Sequence, residues 1–294
     1  VNHALALDIG GSHVTAARVN LTEGTLLEGS LVHRAVAHTA AAPELIAAWS
    51  GAALEAAGET PVSGIGVAMP GPFDYRSGVS RMAHKFAALE GQNVGDRLRA
   101  AWQATPLEGA PVGFENDGAL FALGEAWAGA GRGARRVVGI TLGTGFGSGF
   151  VADGTVCTGG DAPPDGAVWN LPFRGGIAED FVSGAAISRD YQVRTGRNSG
   201  AEQVAEAARR GDAEAQATFE DFGATLAAAL GAVLERFHAE RLVVGGNVAR
   251  SFDLFSASLE RHLRGVEVRR SQHFERAALL GAARLMAEDA HDQP

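Results

Sequence analysis

The stretch VVGITLGTGFGSGFVADGTV, residues 137–156, sets two strand-like apolar runs on either side of GTGFGSG, where glycine takes every second position. Glycine inside a strand gives up packing and costs conformational entropy. Four glycines in seven residues therefore mark a place where the backbone itself is wanted, for a tight hairpin or for the close approach of a ligand. The same plan stands near the start of the chain. LALDIGGSHVTAARV (5–19) and GITLGTGFGSGFVAD (139–153) share an apolar strand, a small or acidic residue, a glycine turn and a second apolar strand. Either hairpin alone is as well explained by tight-turn geometry. A matched pair, each followed by alternating helices and strands, predicts a duplicated α/β fold with a cleft between the halves.

The intervening pattern supports this. Strand patterns fall at 4–10, 14–20 and 26–36, followed by a helix over 42–58 opened by Pro43 and closed by Gly58, a strand over 63–70, a helix over 95–104 and a strand over 111–117. After a helix over 118–131 the glycine hairpin recurs. Helical stretches from about 179 to 238 follow, then a strand at 241–247, a helix at 252–263, a short strand at 266–271 and a last helix at 275–288.

In DIGGSH, Gly10 and Gly11 let a ligand reach the main chain, successive amides form an anion-binding concavity, and Ser12 adds a hydroxyl. Asp8 ends the strand there and offers a carboxylate to the water shell of Mg²⁺. The second turn offers Gly143 and Gly145 with Thr144 as its hydroxyl. Phosphate held by backbone amides is the chemistry such turns suit. Other phosphate sites are excluded. The sequence has one lysine, Lys85, against 24 arginines, so no GxxxxGK[ST] loop exists. GSGFVA (147–152) and GAGRGA (129–134) fit a dinucleotide fingerprint in letters, but neither follows a strand and opens a helix. A net charge of −9 argues against a broad nucleic-acid surface, and no apolar run approaches the roughly 20 residues that span a bilayer. The single cysteine, Cys157, rules out an intrachain disulfide and fits a cytoplasmic protein. The chain enters a strand almost at once, so no signal peptide or N-terminal extra domain is expected.

Five segments in order resemble the ROK family of repressors, open reading frames and sugar kinases: LDIGGSHVTAARV, GIGVAMPGPFD, FENDGALFALGE, GITLGTGFGSGFVADG and RLVVGGNVA. The resemblance covers nearly the whole chain. It implies a duplicated actin-like ATPase (ribonuclease H-like) fold of two lobes with a central cleft. Residues 1–117 would form the N-terminal lobe, joined by the C-terminal helix of about 275–294, and 118–274 the C-terminal lobe. It implies ATP and Mg²⁺ as cofactors, a hexose as acceptor, and a possible homodimer. Asp117 would be the general base and Asn116 would hold neighbouring hydroxyls. Pro70, Gly71 and Glu179 would lie beside the sugar. The first and second turns would hold phosphate, and Gly245 and Gly246 would flank adenosine. Read by itself, ENDG is as natural a helix cap as a catalytic motif.

The chain departs from the family over 157–184. Ala167 and Asn170 stand where the family usually has glutamate and histidine, and the family's three-cysteine cluster is absent, so no structural zinc is expected. Asp165 is near enough in sequence to replace the lost carboxylate. Trp169 can stack on a sugar face or pack into the core. Two functions follow: a glucokinase-like hexose kinase, or a non-catalytic sugar or nucleotide sensor. A DNA-binding repressor is not expected, because the family's repressors carry an N-terminal helix-turn-helix.

Overall fold

A computed structural model describes residues 2–288 and divides them into two compact units, one spanning the chain up to Leu120 together with the segment from Arg276, the other Phe121–Glu275. Residues 289–294 of the C-terminal segment lie outside the described residues.

The first unit opens with β1 (His3–Ile9), whose run ALAL is wholly buried, and β2 (His13–Asn20). They pair antiparallel from His3↔Asn20 to Ile9↔Val14. β3 (Thr25–Leu26) and β4 (Val32–Ala35) both pair with β2, which corrects the expectation of one strand over 26–36. Gly29, at φ +74°, and Ser30, whose hydroxyl bonds the Leu27 carbonyl at 2.8 Å, turn the chain between them. α1 (Ala42–Ala57) follows, with Pro43 in its first turn and Gly58 at its end. β5 (Ile65–Met69) is buried along its whole length, as a central strand between two covered faces must be. The short hairpin β6 (Phe73–Asp74) and β7 (Val79–Ser80), α2 (Val94–Ala101) and β8 (Val112–Asn116) complete this part. The sheet order is β3-β2-β1-β5-β8, with β1, β5 and β8 parallel.

The unit boundary falls within α3 (Asp117–Ala128), between Leu120 and Phe121. The second unit repeats the plan: β9 (Arg136–Leu142), β10 (Phe146–Ala152) and β11 (Thr155–Val156) form the antiparallel part. The hairpin β12 (Pro172–Phe173) and β13 (Gly176–Ile177) leads to α4 (Gly184–Thr195), α5 (Ala201–Arg209) and α6 (Ala213–Arg236). β14 (Arg241–Gly245), α7 (Phe252–His262) and β15 (Glu267–Arg270) close a sheet of order β11-β10-β9-β14-β15. Strand for strand this is the order of the first sheet, with β9, β14 and β15 parallel. Among the described residues α6 alone is long and apolar enough to cross a bilayer, against the expectation that no such run exists. Half of that stretch is buried inside its own unit, where Phe219, Phe222, Leu226 and Leu230 join the core.

α8 (Ala277–Glu288) returns to the first sheet and lies on β1 and β5. Its approach is close enough that a side chain at Gly66 would overlap the Ala282 carbonyl, and one at Gly281 the Leu120 carbonyl. Backbone cannot yield as a side chain can, so Gly66→Ala should lower unfolding stability by about 2 kcal/mol or more. Thermal denaturation checks this; an unchanged midpoint contradicts the packing.

Candidate active site

In both sheets the glycine turns and the other motif residues follow the C-terminal ends of the parallel strands, where open α/β sheets hold ligands. In the first unit these are Gly10–Ser12 after β1, Pro70–Gly71 after β5, and Asn116–Asp117 at the end of β8. In the second they are Gly143–Gly145 after β9 and Gly245–Gly246 at the end of β14.

In both turns the first glycine's N–H donates across the turn, to the carbonyl three residues on in one and two residues on in the other. The Gly10 N–H donates to the His13 carbonyl at 2.9 Å, and the Gly143 N–H donates to the Gly145 carbonyl at 3.0 Å. The next two amides in each turn, Gly11 and Ser12 in one and Thr144 and Gly145 in the other, donate to no acceptor among the described residues. Successive turn amides that face no protein acceptor are natural anion donors. The first glycine of each turn thus spends its amide across the hairpin, and the amides of its followers stay without a protein acceptor. The carbonyls are tied back: Gly11 O accepts from His38 N–H and Ser12 O from Val36 N–H, both at 3.0 Å. Ser12 is exposed, and Asp8 is half-buried on β1. Not all glycines of GTGFGSG serve the turn: a side chain at Gly147, within β10, would collide with Thr141.

At the start of α3 the cap and the candidate base are neighbouring residues. The Asn116 Oδ1 accepts the N–H of Gly118 at 2.9 Å and of Ala119 at 3.3 Å, which caps the helix. Its Nδ2 donates to the Tyr75 hydroxyl at 3.2 Å, and that hydroxyl donates to the Met69 carbonyl at 3.1 Å. Asp117 is exposed; one carboxylate oxygen accepts the Gly118 N–H at 2.9 Å and the other accepts nothing among the described residues. Burial pushes the Tyr75 phenol above its ordinary value, opposed by its bond to Asn116 and reinforced by the negative charges of Asp117 and Glu115. Burial likewise raises Glu115, although the Asn116 N–H bonds its carboxylate at 2.7 Å. Pro70 is buried and Gly71 exposed, with a cis bond from Gly71 to Pro72.

Glu179 belongs to the second turn. Its Oε2 accepts the Phe146 N–H at 2.8 Å, and a side chain at Gly145 would lie 3.2 Å from the same oxygen. Its own N–H donates to the Trp169 carbonyl at 3.0 Å, which joins the turn to the segment carrying Ala167 and Asn170. Trp169 is 44 % exposed, so it is not the core aromatic that was one of its two expected roles. Ala167 is half-buried; Asp165 and Asn170 are exposed. The segment is pinned where Ser148 donates to the Gly166 carbonyl at 2.6 Å and accepts the Val168 N–H at 3.1 Å. Arg136 pairs with Asp161 at 3.2 Å, and Arg236 donates to the Asp161 carbonyl at 3.0 Å.

Beside this turn the second unit holds a cavity of about 620 Å³. Gly143 and Thr144 form one wall, the N-terminus of α4 with Gly184 and Ser188 another, and Asn247 and Arg250 a third. The Gly184 N–H donates to the Gly143 carbonyl at 3.0 Å, fixing the helix end against the turn. Gly245 and Gly246 do not line the cavity. Packing requires them small: a side chain at Gly245 would strike the Phe121 ring, and one at Gly246, at φ +79°, the Leu142 backbone. Ser188 and Arg250 carried no motif in the sequence, whereas Asn247 lies in the RLVVGGNVA segment; only folding brings α4 and the segment after β14 to the turn.

A family model described as the ROK family matches residues 4–289, and the chain belongs to that family. Its fold is the duplicated actin-like ATPase fold. A glucokinase of Thermotoga maritima is 28 % identical over 257 residues, 76 % of this chain and 79 % of the relative. An N-acetyl-D-glucosamine kinase of Photobacterium profundum is 27 % identical over 246 residues, 74 % and 78 % of the two chains. A ROK family glucokinase of Streptomyces griseus, solved with glucose and AMPPNP, superposes with a TM-score of 0.76 at 25 % identity, covering 97 % of this chain and 99 % of the other.

Because the folded protein holds a proton on Glu115 more tightly than the unfolded chain does, the linked stability is present below about pH 4.5 and is lost as pH rises through the raised value. Glu115→Gln should therefore gain in melting temperature relative to the parent as pH is raised from 4 to 7. A pH-independent difference in a denaturation series would contradict the assignment.

Proposed function

We propose that the protein is an ATP-dependent kinase of a hexose or N-acetylhexosamine, with Asp117 as general base. The observation that carries this reading is the state of Asp117: exposed, with one oxygen uncommitted, beside an Asn116 locked as the helix cap. The sugar hydroxyl gives its proton to the free Asp117 oxygen while its oxygen attacks the γ-phosphorus. The bond from that phosphorus to the β–γ bridging oxygen breaks, and ADP leaves. Such a transfer asks for little covalent help and much positioning and charge neutralisation. The unpaired amides of Gly11, Ser12, Thr144 and Gly145 are donors suited to phosphate oxygens. The cavity of the second unit suits adenosine in size, and the N-terminus of α4 favours negative charge there. The related glucokinase solved with AMPPNP supports ATP as donor.

Mg²⁺ keeps most of its waters and takes one or two carboxylates beside phosphates. Among the described residues no group of three or more ligating side chains forms a cage, and Asp8, half-buried near the end of β1, is the carboxylate two residues before the first turn. That donor set fits the ion, which would neutralise phosphate charge there.

Glu179 serves the second turn through Oε2 and keeps Oε1 for a sugar hydroxyl. Trp169, exposed and linked through its carbonyl to Glu179, offers an aromatic face in place of the carboxylate missing at Ala167. The same loss favours a second reading, a sugar or nucleotide sensor without turnover.

A coupled ADP-release assay over a panel of hexoses and N-acetylhexosamines separates the two. Turnover of at least one sugar, falling about 10²- to 10⁴-fold in kcat in Asp117→Ala, is the expected result. ATP binding without turnover of any sugar would favour the sensor. With the sugar that is turned over, Trp169→Ala should raise the sugar KM about tenfold and leave the melting temperature near that of the parent. An unchanged KM would remove Trp169 from the sugar site.

A further inference from the structure

Lys85 is the only lysine among 294 residues, and the kinase reading gives it no task. It stands over the first glycine turn: a methyl group at Gly11 would lie 3.6 Å from its Cε. The placement is anchored. Phe86, the next residue, is fully buried in the left-handed region at φ 52°, ψ 37°. Its ring meets Trp49 of α1 edge-on at 5.3 Å and His38 at 6.4 Å. The His38 N–H in turn donates to the Gly11 carbonyl. One buried aromatic thus fixes both the turn and the residue above it. A bulky residue with positive φ is disfavoured and persists where the surroundings impose it.

The charge of Lys85 is uncommitted. The ion pairs among the described residues are all made by arginines, and Lys85 takes part in none. The nearby Arg81 is spent on Asp74 at 3.4 Å. An exposed ammonium on a flexible stem, beside two unpaired amides, is a compact point charge able to follow a phosphate group.

We propose that Lys85 binds the phosphate group held on the Gly11 and Ser12 amides and contacts the phosphoryl group in transfer. The proposal rests on the first turn being a phosphate site. Its test uses inorganic pyrophosphate, which needs no turnover. Calorimetry should find binding to the parent protein weakened about tenfold or more in Lys85→Met and partly recovered in Lys85→Arg, with the melting temperature of each variant near that of the parent. As the only side-chain amine, Lys85 should also be shielded by pyrophosphate from an amine-reactive reagent, read by peptide mass spectrometry. In the ADP-release assay, Lys85→Met should lower kcat more than it raises the sugar KM. Equal pyrophosphate binding in parent and Lys85→Met, with unshielded labelling, overturns the role of Lys85 and leaves the kinase reading standing. No pyrophosphate binding to the parent overturns the phosphate site and the role of Lys85 together. Turnover of no sugar, with Lys85-dependent pyrophosphate binding, removes the kinase and keeps the anion site.

Discussion

The hydrogen bond that closes each glycine hairpin is the constraint on which the site depends. Gly10 to His13 and Gly143 to Gly145 each consume the first amide of a turn and leave the next two without acceptors. An antiparallel ladder would pair those amides; a tight turn at the end of a parallel strand exposes them where ligands bind. Everything else in the two units serves to hold these turns still. His38 and Val36 tie down the carbonyls of the first, and Gly184 and Glu179 secure the second.

The fold achieves this twice with one plan. Each sheet sets an antiparallel part, of four strands in the first and three in the second, beside three parallel strands, with β1 or β9 common to both parts, and each glycine turn links that shared strand to its antiparallel neighbour. The covering helices approach closely because glycines admit them: Gly66 and Gly281 under α8, Gly245 under Phe121 of α3. The side-chain chemistry is then sparse. Asn116 is spent as a cap, Glu179 on a turn amide, and Glu125, fully buried, on Ser271 at 2.6 Å and on the backbone of Ala130 and His273. Asp117 and Lys85 are exposed charged groups of the first unit, left open beside its motif residues.

The turns and most of the strands were legible in the sequence because their signals are local: glycine between apolar runs, alternation, Pro43 and Gly58 at the ends of α1. The strand expected over 26–36 is divided in two because Gly29 and Ser30, between its apolar ends, turn the chain, with the serine hydroxyl bonding the Leu27 carbonyl. Gly245 and Gly246, expected to flank adenosine, and Gly147 within β10 each also have a packing reason to lack a side chain, in Phe121, Leu142 and Thr141, neighbours that only the fold supplies. For the same reason Ser188 and Arg250 of the cavity, and Tyr75 behind Asn116, gave no signal. The ENDG motif carried two readings, and adjacent residues divide them: Asn116 caps, while Asp117 keeps a free oxygen.

The most direct test of the account is to follow the backbone amides themselves. In ¹⁵N-labelled protein titrated with AMPPNP and Mg²⁺, the resonances of Gly11, Ser12, Thr144 and Gly145 should all move, while those of Gly10 and Gly143, already bonded within the turns, should move far less. Nucleotide binding that leaves those four amides where they were would contradict it.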